Sequence, residues 1–226
     1  MGATLVSLLP FIIGSALVPV QIILAILLLK SPARGVLKAS AFVGGMTAAR
    51  LLQGLFFGLI ITNSATAAEE AGGKSPVIST LLMLLGILLL IAAYKKWSKE
   101  EDPDAPPPKW LAMMDSVNPL KAFGVGLGLV AISAKLWVFT LTAITVIGDA
   151  QLGQPYSTFT YLLFILLAES LLLLPILIRI IVPEQSKSLL DSTSAWLSRY
   201  NRPITIAVSL IFGFLFLYQG VSGLLN

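Results

Sequence analysis

Residues 157–182 read STFTYLLFILLAESLLLLPILIRIIV, and Glu169 is the carboxylate in the middle of this apolar run. A helix needs about 20 predominantly apolar residues to cross a bilayer. An ionised side chain at the bilayer centre costs about 2.5–3.5 kcal/mol on insertion scales. Such a charge is therefore tolerated where it faces the interior of a helix bundle, pairs with another charge or contacts a passing solute.

Similar polar residues interrupt three other long apolar runs. Pro19 and Gln21 lie in the first run, Arg50 lies in the second and Lys135 lies in the fourth. Ionisable residues within membrane helices mark functional sites by default. This recurring pattern predicts a small membrane transporter more than any other class of protein.

The composition indicates a membrane protein. The 226 residues are 57% hydrophobic and 12% charged, whereas about 25% of a soluble domain is charged. Six segments are long and apolar enough to span a bilayer: 4–29, 36–62, 76–94, 119–148, 157–182 and 203–224. We therefore predict an all-α integral membrane protein with six transmembrane helices. The stretch 183–202 has mixed polarity and is predicted to lie along the membrane surface as an amphipathic helix.

A charged, proline-rich stretch divides the chain into two halves. The predicted parts are a first three-helix repeat at 1–94, a cytoplasmic linker at 95–118 and a second three-helix repeat at 119–226. Three spans per half place the halves in opposite orientations, which is the inverted-repeat plan of many secondary transporters. Polar positions correspond across the halves: Pro19 and Gln21 with Ala134 and Lys135, and Arg50 with Glu169.

The basic residues predict the orientation in the membrane. The loops that follow spans one, three and five, counted together with Lys38 at the start of span two, contain ten Lys and Arg residues, whereas the opposite side contains only Lys74. Loops on the cytoplasmic side carry the excess of Lys and Arg. Both termini are therefore predicted to lie outside the cell.

Two missing residue types limit the chemistry. The chain contains no cysteine and no histidine, which excludes disulfides, thiol redox relays, His-based metal sites and His-based catalytic triads. No nucleophile–base pair is visible, so we expect neither an enzyme nor a bound metal or cofactor. The net charge of +4 suits membrane topology and does not indicate a nucleic-acid partner.

The central polar residues form a candidate substrate site. Pro19 frees a backbone carbonyl in the middle of its span, and Gln21 adds an amide within one turn. Arg50, Lys135 and Glu169 have similar central positions, so they can form a cluster of two cations and one anion that binds an anionic or zwitterionic group. Burial favours the protonated carboxyl and nearby cations favour the carboxylate, so Glu169 is a candidate for proton coupling. A fixed ion pair that holds helices together is the alternative.

Short motifs add a family resemblance. Residues 17–21 read LVPVQ and 31–35 read SPARG, while 122–126 read AFGVG and 133–136 read SAKL. These stretches resemble the lysine-exporter (LysE) superfamily, and within it the glycopeptidolipid-addressing (GAP) and sulfolipid-1-addressing (Sap) proteins. Gln21 replaces the second proline of the first family motif, and Ser133-Ala134 replaces an Asn-Pro before Lys135. Both changes remove a helix-breaking residue, which leaves open whether spans one and four are broken.

The resemblance implies a secondary transporter in the bacterial plasma membrane. It would export a small anionic or zwitterionic solute or a cell-envelope lipid, with proton coupling as one option. The predicted substrate-binding residues are Pro19, Gln21, Arg50, Ser133, Lys135 and Glu169. The alternative function is a non-transporting scaffold for a lipid-export complex, and glycine-rich helix faces would allow a homodimer.

Overall fold

The computed structural model describes residues 2–70, 76–98 and 117–225, and these residues are organised almost entirely as helices. The described part contains nine helices: α1 (Gly2–Ala16), α2 (Pro19–Lys30), α3 (Gly35–Glu70), α4 (Pro76–Ser98), α5 (Pro119–Ile132), α6 (Ala134–Asp149), α7 (Tyr156–Ala168), α8 (Ser170–Ile181) and α9 (Pro183–Leu225). Most of the predicted linker at 95–118 lies outside the described residues, and the division into two repeats stays a prediction.

Three of the predicted spans are each broken into two helices. The bend is 57° between α1 and α2, 74° between α5 and α6, and 61° between α7 and α8. Among the described residues, α9 alone is long and apolar enough to cross a membrane, and the number rises to four if each bent pair is one span. The all-helical membrane architecture is thereby confirmed, while the count of six spans stays a prediction.

The first two breaks share one backbone conformation. Val18 is extended (φ −87°, ψ 102°), because the residue before a proline is disfavoured from the helical region, and Pro19 then starts α2. Ser133 has nearly the same conformation (φ −79°, ψ 105°) without a following proline. There the indole Nε1 of Trp137 donates to the carbonyl oxygen of Ala131 at 2.8 Å. Both spans are therefore broken despite the departures from the family motifs.

The third break lies at Glu169, and Pro175 lies inside α8. The hydroxyl of Ser170 donates to the carbonyl oxygen of Leu167 at 2.7 Å. A serine hydroxyl that bonds to the preceding turn competes with the helical hydrogen-bond ladder and often bends the helix. The bend therefore places the Glu169 carboxylate where one helix ends and the next begins.

Helix α9 corrects one prediction. The stretch 183–202 is not a separate surface helix, because it continues through Pro203 as part of one 43-residue helix. Helix α9 packs against α4. The guanidinium of Arg202 donates to the carbonyl oxygens of Lys96 and Trp97, at 3.3 and 2.7 Å. Both carbonyls belong to the last turn of α4, where carbonyl groups are available to donors from another helix. The two helices are antiparallel neighbours.

Glycines permit the closest helix approaches. A Cβ atom on Gly45 of α3 would overlap the backbone of Phe123, and a Cβ atom on Gly126 of α5 would overlap the backbone of Phe42. Small residues at membrane helix interfaces allow backbones to approach in this way. The contact fixes α5 against the half of α3 that precedes Arg50.

Candidate functional site

Arg50 lies fully buried on α3 and contacts three other elements. Its Nε atom lies 3.2 Å from Oε1 of Glu169, which makes a buried ion pair. Nη2 donates to Oγ of Ser15 in α1 at 2.7 Å, and Nη1 makes a longer contact of 3.5 Å with Oγ1 of Thr140 in α6. One guanidinium therefore connects α1, α3, α6 and the α7–α8 break.

Thr47 gives Glu169 its second partner. The hydroxyl oxygen of Thr47 lies 2.6 Å from Oε2 of Glu169 and 3.0 Å from the carbonyl oxygen of Val43. A hydroxyl has one hydrogen and can donate it to only one of these acceptors at a time. Thr47 donates to Glu169 when the carboxylate is ionised. When Glu169 is protonated, the carboxyl can donate to Thr47, and Thr47 can then donate to Val43.

Tyr161 fixes the backbone beneath the arginine. Its hydroxyl donates to the carbonyl oxygen of Arg50 at 2.6 Å. A Cβ atom on Gly54 would overlap the Tyr161 ring, so the glycine allows this ring to lie against α3. The hydrogen bond occupies a carbonyl one turn from Gly54 and holds α7 against the middle of α3.

The structure brings together two of the six predicted site residues, Arg50 and Glu169. Lys135 is half-buried near the start of α6, and in the described chain neither of these two residues is its partner. Gln21 is fully buried, and neither atom of its amide has a hydrogen-bond partner within the described ranges.

Pro19 and Ser133 mark the first two helix breaks, as described above, and contribute no described contact to the ion pair. Four residues that do contribute were missed from the sequence: Ser15, Thr47, Thr140 and Tyr161. Thr47 had a detectable signal, because it lies three residues before Arg50 on the same helix face. Nothing in the sequence marks Ser15 and Thr140 as site residues, since small hydroxyl residues are common in membrane helices.

A pocket opens beside the ion pair between α3 and the α7–α8 bend. Its volume is about 180 Å³, and its lining is apolar except for Thr47 and Glu169. The buried pair carries no net charge, because one guanidinium faces one carboxylate. Over the described residues, there is no group of three or more acidic side chains that could hold a metal ion.

Broken apolar helices around a buried ion pair define a multi-pass helical membrane protein. The chain belongs to the Sap (sulfolipid-1-addressing protein) family, whose family model matches residues 8–222. The resemblance to Sap proteins predicted from the short motifs is thereby confirmed. No curated protein and no solved structure gives a significant match.

Proposed function

We propose that this protein is a secondary exporter that moves a lipid with an acidic headgroup, or a small anionic or zwitterionic solute, across the bacterial plasma membrane. The buried Arg50–Glu169 pair is the observation that carries the proposal. Buried ion pairs are weak evidence for stability, since apolar replacements are often neutral or stabilising. A charge pair kept at a junction of broken membrane helices therefore supports transport.

The family description favours a lipid among these substrates. Sap proteins are described by the addressing of a sulfolipid, and we propose that the substrate here is likewise a lipid with an acidic headgroup. Such a headgroup would bind the guanidinium of Arg50. Charge–charge interactions are strong where water is excluded, so the headgroup and an ionised Glu169 would compete for the same cation.

That competition supplies a coupling mechanism. When Glu169 takes up a proton, its attraction to Arg50 falls and the guanidinium is free to bind an anion. Thr47 suits both states, because its hydroxyl can donate to the carboxylate or accept from the protonated carboxyl. Binding of one acidic group is then linked to uptake of one proton at Glu169, so the acidic group and the proton would cross the membrane together and in the same direction.

Gln21 is a second candidate contact for the substrate. A buried polar group without a hydrogen-bond partner costs about 1–3 kcal/mol. The amide lies in the first turn of α2, just after the first helix break. Transporters of this kind bind substrates beside such breaks at the middle of the membrane. A headgroup oxygen or hydroxyl that bonds to this amide would remove the cost.

The inverted repeat and the orientation also belong to the proposal. Val18 and Ser133 supply matching breaks in the first span of each half, which supports two related halves at 1–94 and 119–226. Lys30 pairs with Asp191, and Arg202 binds the end of α4, so the ends of α2 and α4 lie beside the first half of α9. This basic side is proposed to face the cytoplasm, with both termini outside.

Transport by proteoliposomes tests the function. Purified protein is reconstituted with a fluorescent phosphatidylglycerol and, separately, a fluorescent phosphatidylcholine, and movement between leaflets is followed under an imposed pH gradient. We expect faster movement of the anionic probe, and loss of that movement in the double variant Arg50→Met/Glu169→Leu. The matched control is Lys30→Met/Asp191→Leu, which removes an exposed ion pair and should transport normally.

Two results would contradict the proposal. In the first, Arg50→Met/Glu169→Leu moves the anionic probe as fast as the unaltered protein, and the pair is then only structural. In the second, the unaltered protein moves neither probe faster than protein-free liposomes do. Thermal unfolding of every variant accompanies the assay, so that a loss of transport is not a loss of fold.

A further inference from the structure

The pocket beside Glu169 has one wall from α3 and a facing wall from α7 and α8. On α3 it is lined by Val43, Thr47 and Leu51, which are spaced four residues apart and therefore lie on one face of the helix. The opposite wall consists of Leu162, Ile165, Leu166 and Leu173 from α7 and α8. Glu169, at the bend between these two helices, completes the lining.

The pocket is open at one end and closed at the other. Leu51, Leu162 and Leu166 are 42%, 47% and 55% exposed, so they form the rim. Ile165 and Glu169 are buried and form the inner end. The rim leucines belong to apolar helices, and the inner end reaches the ion pair near the middle of the predicted spans. The opening therefore faces the hydrocarbon of the bilayer and not an aqueous surface.

Only apolar groups are available to fill an opening at this depth. The hydrocarbon core of a bilayer is about 30 Å thick and contains no water to hydrate a cavity. An apolar protein cavity of about 150 Å³ is large enough to bind benzene, and this pocket measures about 180 Å³. It can therefore hold the end of a hydrocarbon chain.

We propose that this pocket binds one acyl chain of a membrane lipid, which enters sideways between α3 and α7 and ends against Thr47 and Glu169. The site goes beyond the proposed function and does not depend on it, because it is the end of an acyl chain that reaches Glu169 here and not the headgroup of the same lipid.

Photolabelling tests the site without any transport assay. The full chain is reconstituted in phosphatidylcholine liposomes that contain a phosphatidylcholine with a diazirine at the end of one acyl chain. After irradiation, labelled residues are mapped by mass spectrometry. Two matched pairs of neighbouring residues decide the result: Ile165 lines the pocket and buried Phe164 does not, and Leu173 lines it and buried Leu172 does not.

We expect several-fold more label on Ile165 than on Phe164, and on Leu173 than on Leu172. Val43→Phe, which fills the pocket, should remove this excess, whereas Leu177→Phe on an exposed face of α8 should leave it unchanged. Equal labelling within both pairs in the unaltered protein would overturn the proposal. A labelled pocket in a protein whose double variant Arg50→Met/Glu169→Leu transports normally would overturn only the proposed function.

Discussion

The guanidinium of Arg50 and the carboxylate of Glu169 meet at 3.2 Å, and the two side chains are 0% and 3% exposed. The pair joins the middle of α3 to the break between α7 and α8. Each charge is tolerated in this setting because the other is present, since an isolated ion in a low-dielectric interior loses its hydration without compensation. The stability of the protein therefore depends on both residues together.

Removing one partner should destabilise the protein far more than removing both. Arg50→Ala leaves the Glu169 carboxylate buried and unpaired, and we expect the free energy of unfolding to fall by about 3–5 kcal/mol. Arg50→Met/Glu169→Leu should recover most of this loss, because two apolar side chains fill the same space. Unfolding in detergent measures both variants. A double variant as unstable as the single one would show that the pair does not act as a unit.

The glycine contact between α3 and α5 should be sensitive to a single methyl group. Gly126→Ala places a Cβ atom against the backbone of Phe42, and we expect a loss of about 1–3 kcal/mol from overpacking. Gly124→Ala and Gly128→Ala are matched controls on the same helix, since a Cβ atom at either position has no neighbour within 4 Å. These controls should be neutral or stabilising by up to about 1 kcal/mol. Thermal unfolding separates the three variants, and equal effects would argue against the close approach.

Gln21 should contribute to transport at the expense of stability. Gln21→Met removes a buried amide that has no described partner, so we expect the free energy of unfolding to rise by about 1–3 kcal/mol while transport of the anionic probe falls. Gln53→Met is the matched control, because that amide is also buried without a described partner but belongs to no predicted site. It should stabilise the protein and leave transport intact. Normal transport by Gln21→Met would remove this residue from the substrate site.

The first helix break should depend on its proline. Pro19→Ala frees Val18 from the restriction that a following proline imposes. The 57° bend between α1 and α2 should therefore become smaller. The chain has no cysteine, and spin labels can therefore be attached at Val6→Cys and Lys30→Cys alone. The distance between the labels should lengthen in Pro19→Ala and stay constant in Pro10→Ala, whose proline lies inside α1. An unchanged distance in Pro19→Ala would mean that packing holds this bend, as it must at Ser133.

Single cysteines also test the orientation. We expect a membrane-impermeant thiol reagent, applied to intact cells, to label Tyr156→Cys at the start of α7 and not Leu189→Cys in the first half of α9. Both positions are exposed in the structure. Permeabilised cells should label both variants, which controls for reactivity. Labelling of Leu189→Cys alone in intact cells would reverse the proposed topology.

Much of the fold could be predicted because the bilayer imposes a simple requirement. Long apolar runs must form helices that satisfy their own backbone hydrogen bonds, so the positions of the helices follow from hydropathy. The bend before Pro19 also follows from the local chemistry of proline. The bends at Ser133 and Glu169 do not, since their hydrogen bonds depend on how Trp137 and Ser170 are oriented in the folded chain.

The sequence by itself determined that Arg50 and Glu169 lie deep within apolar segments, because the apolar residues on both sides of each charge form the helix that carries it into the membrane. Only the tertiary structure decided that these two residues pair with each other, that Lys135 lies apart from them, and that Ser15 and Thr47 complete the site. The physical reason is that ion pairing acts over a few ångströms between separate helices. Partners are therefore chosen by the rotation and depth of each helix, which packing sets and the linear order of residues does not.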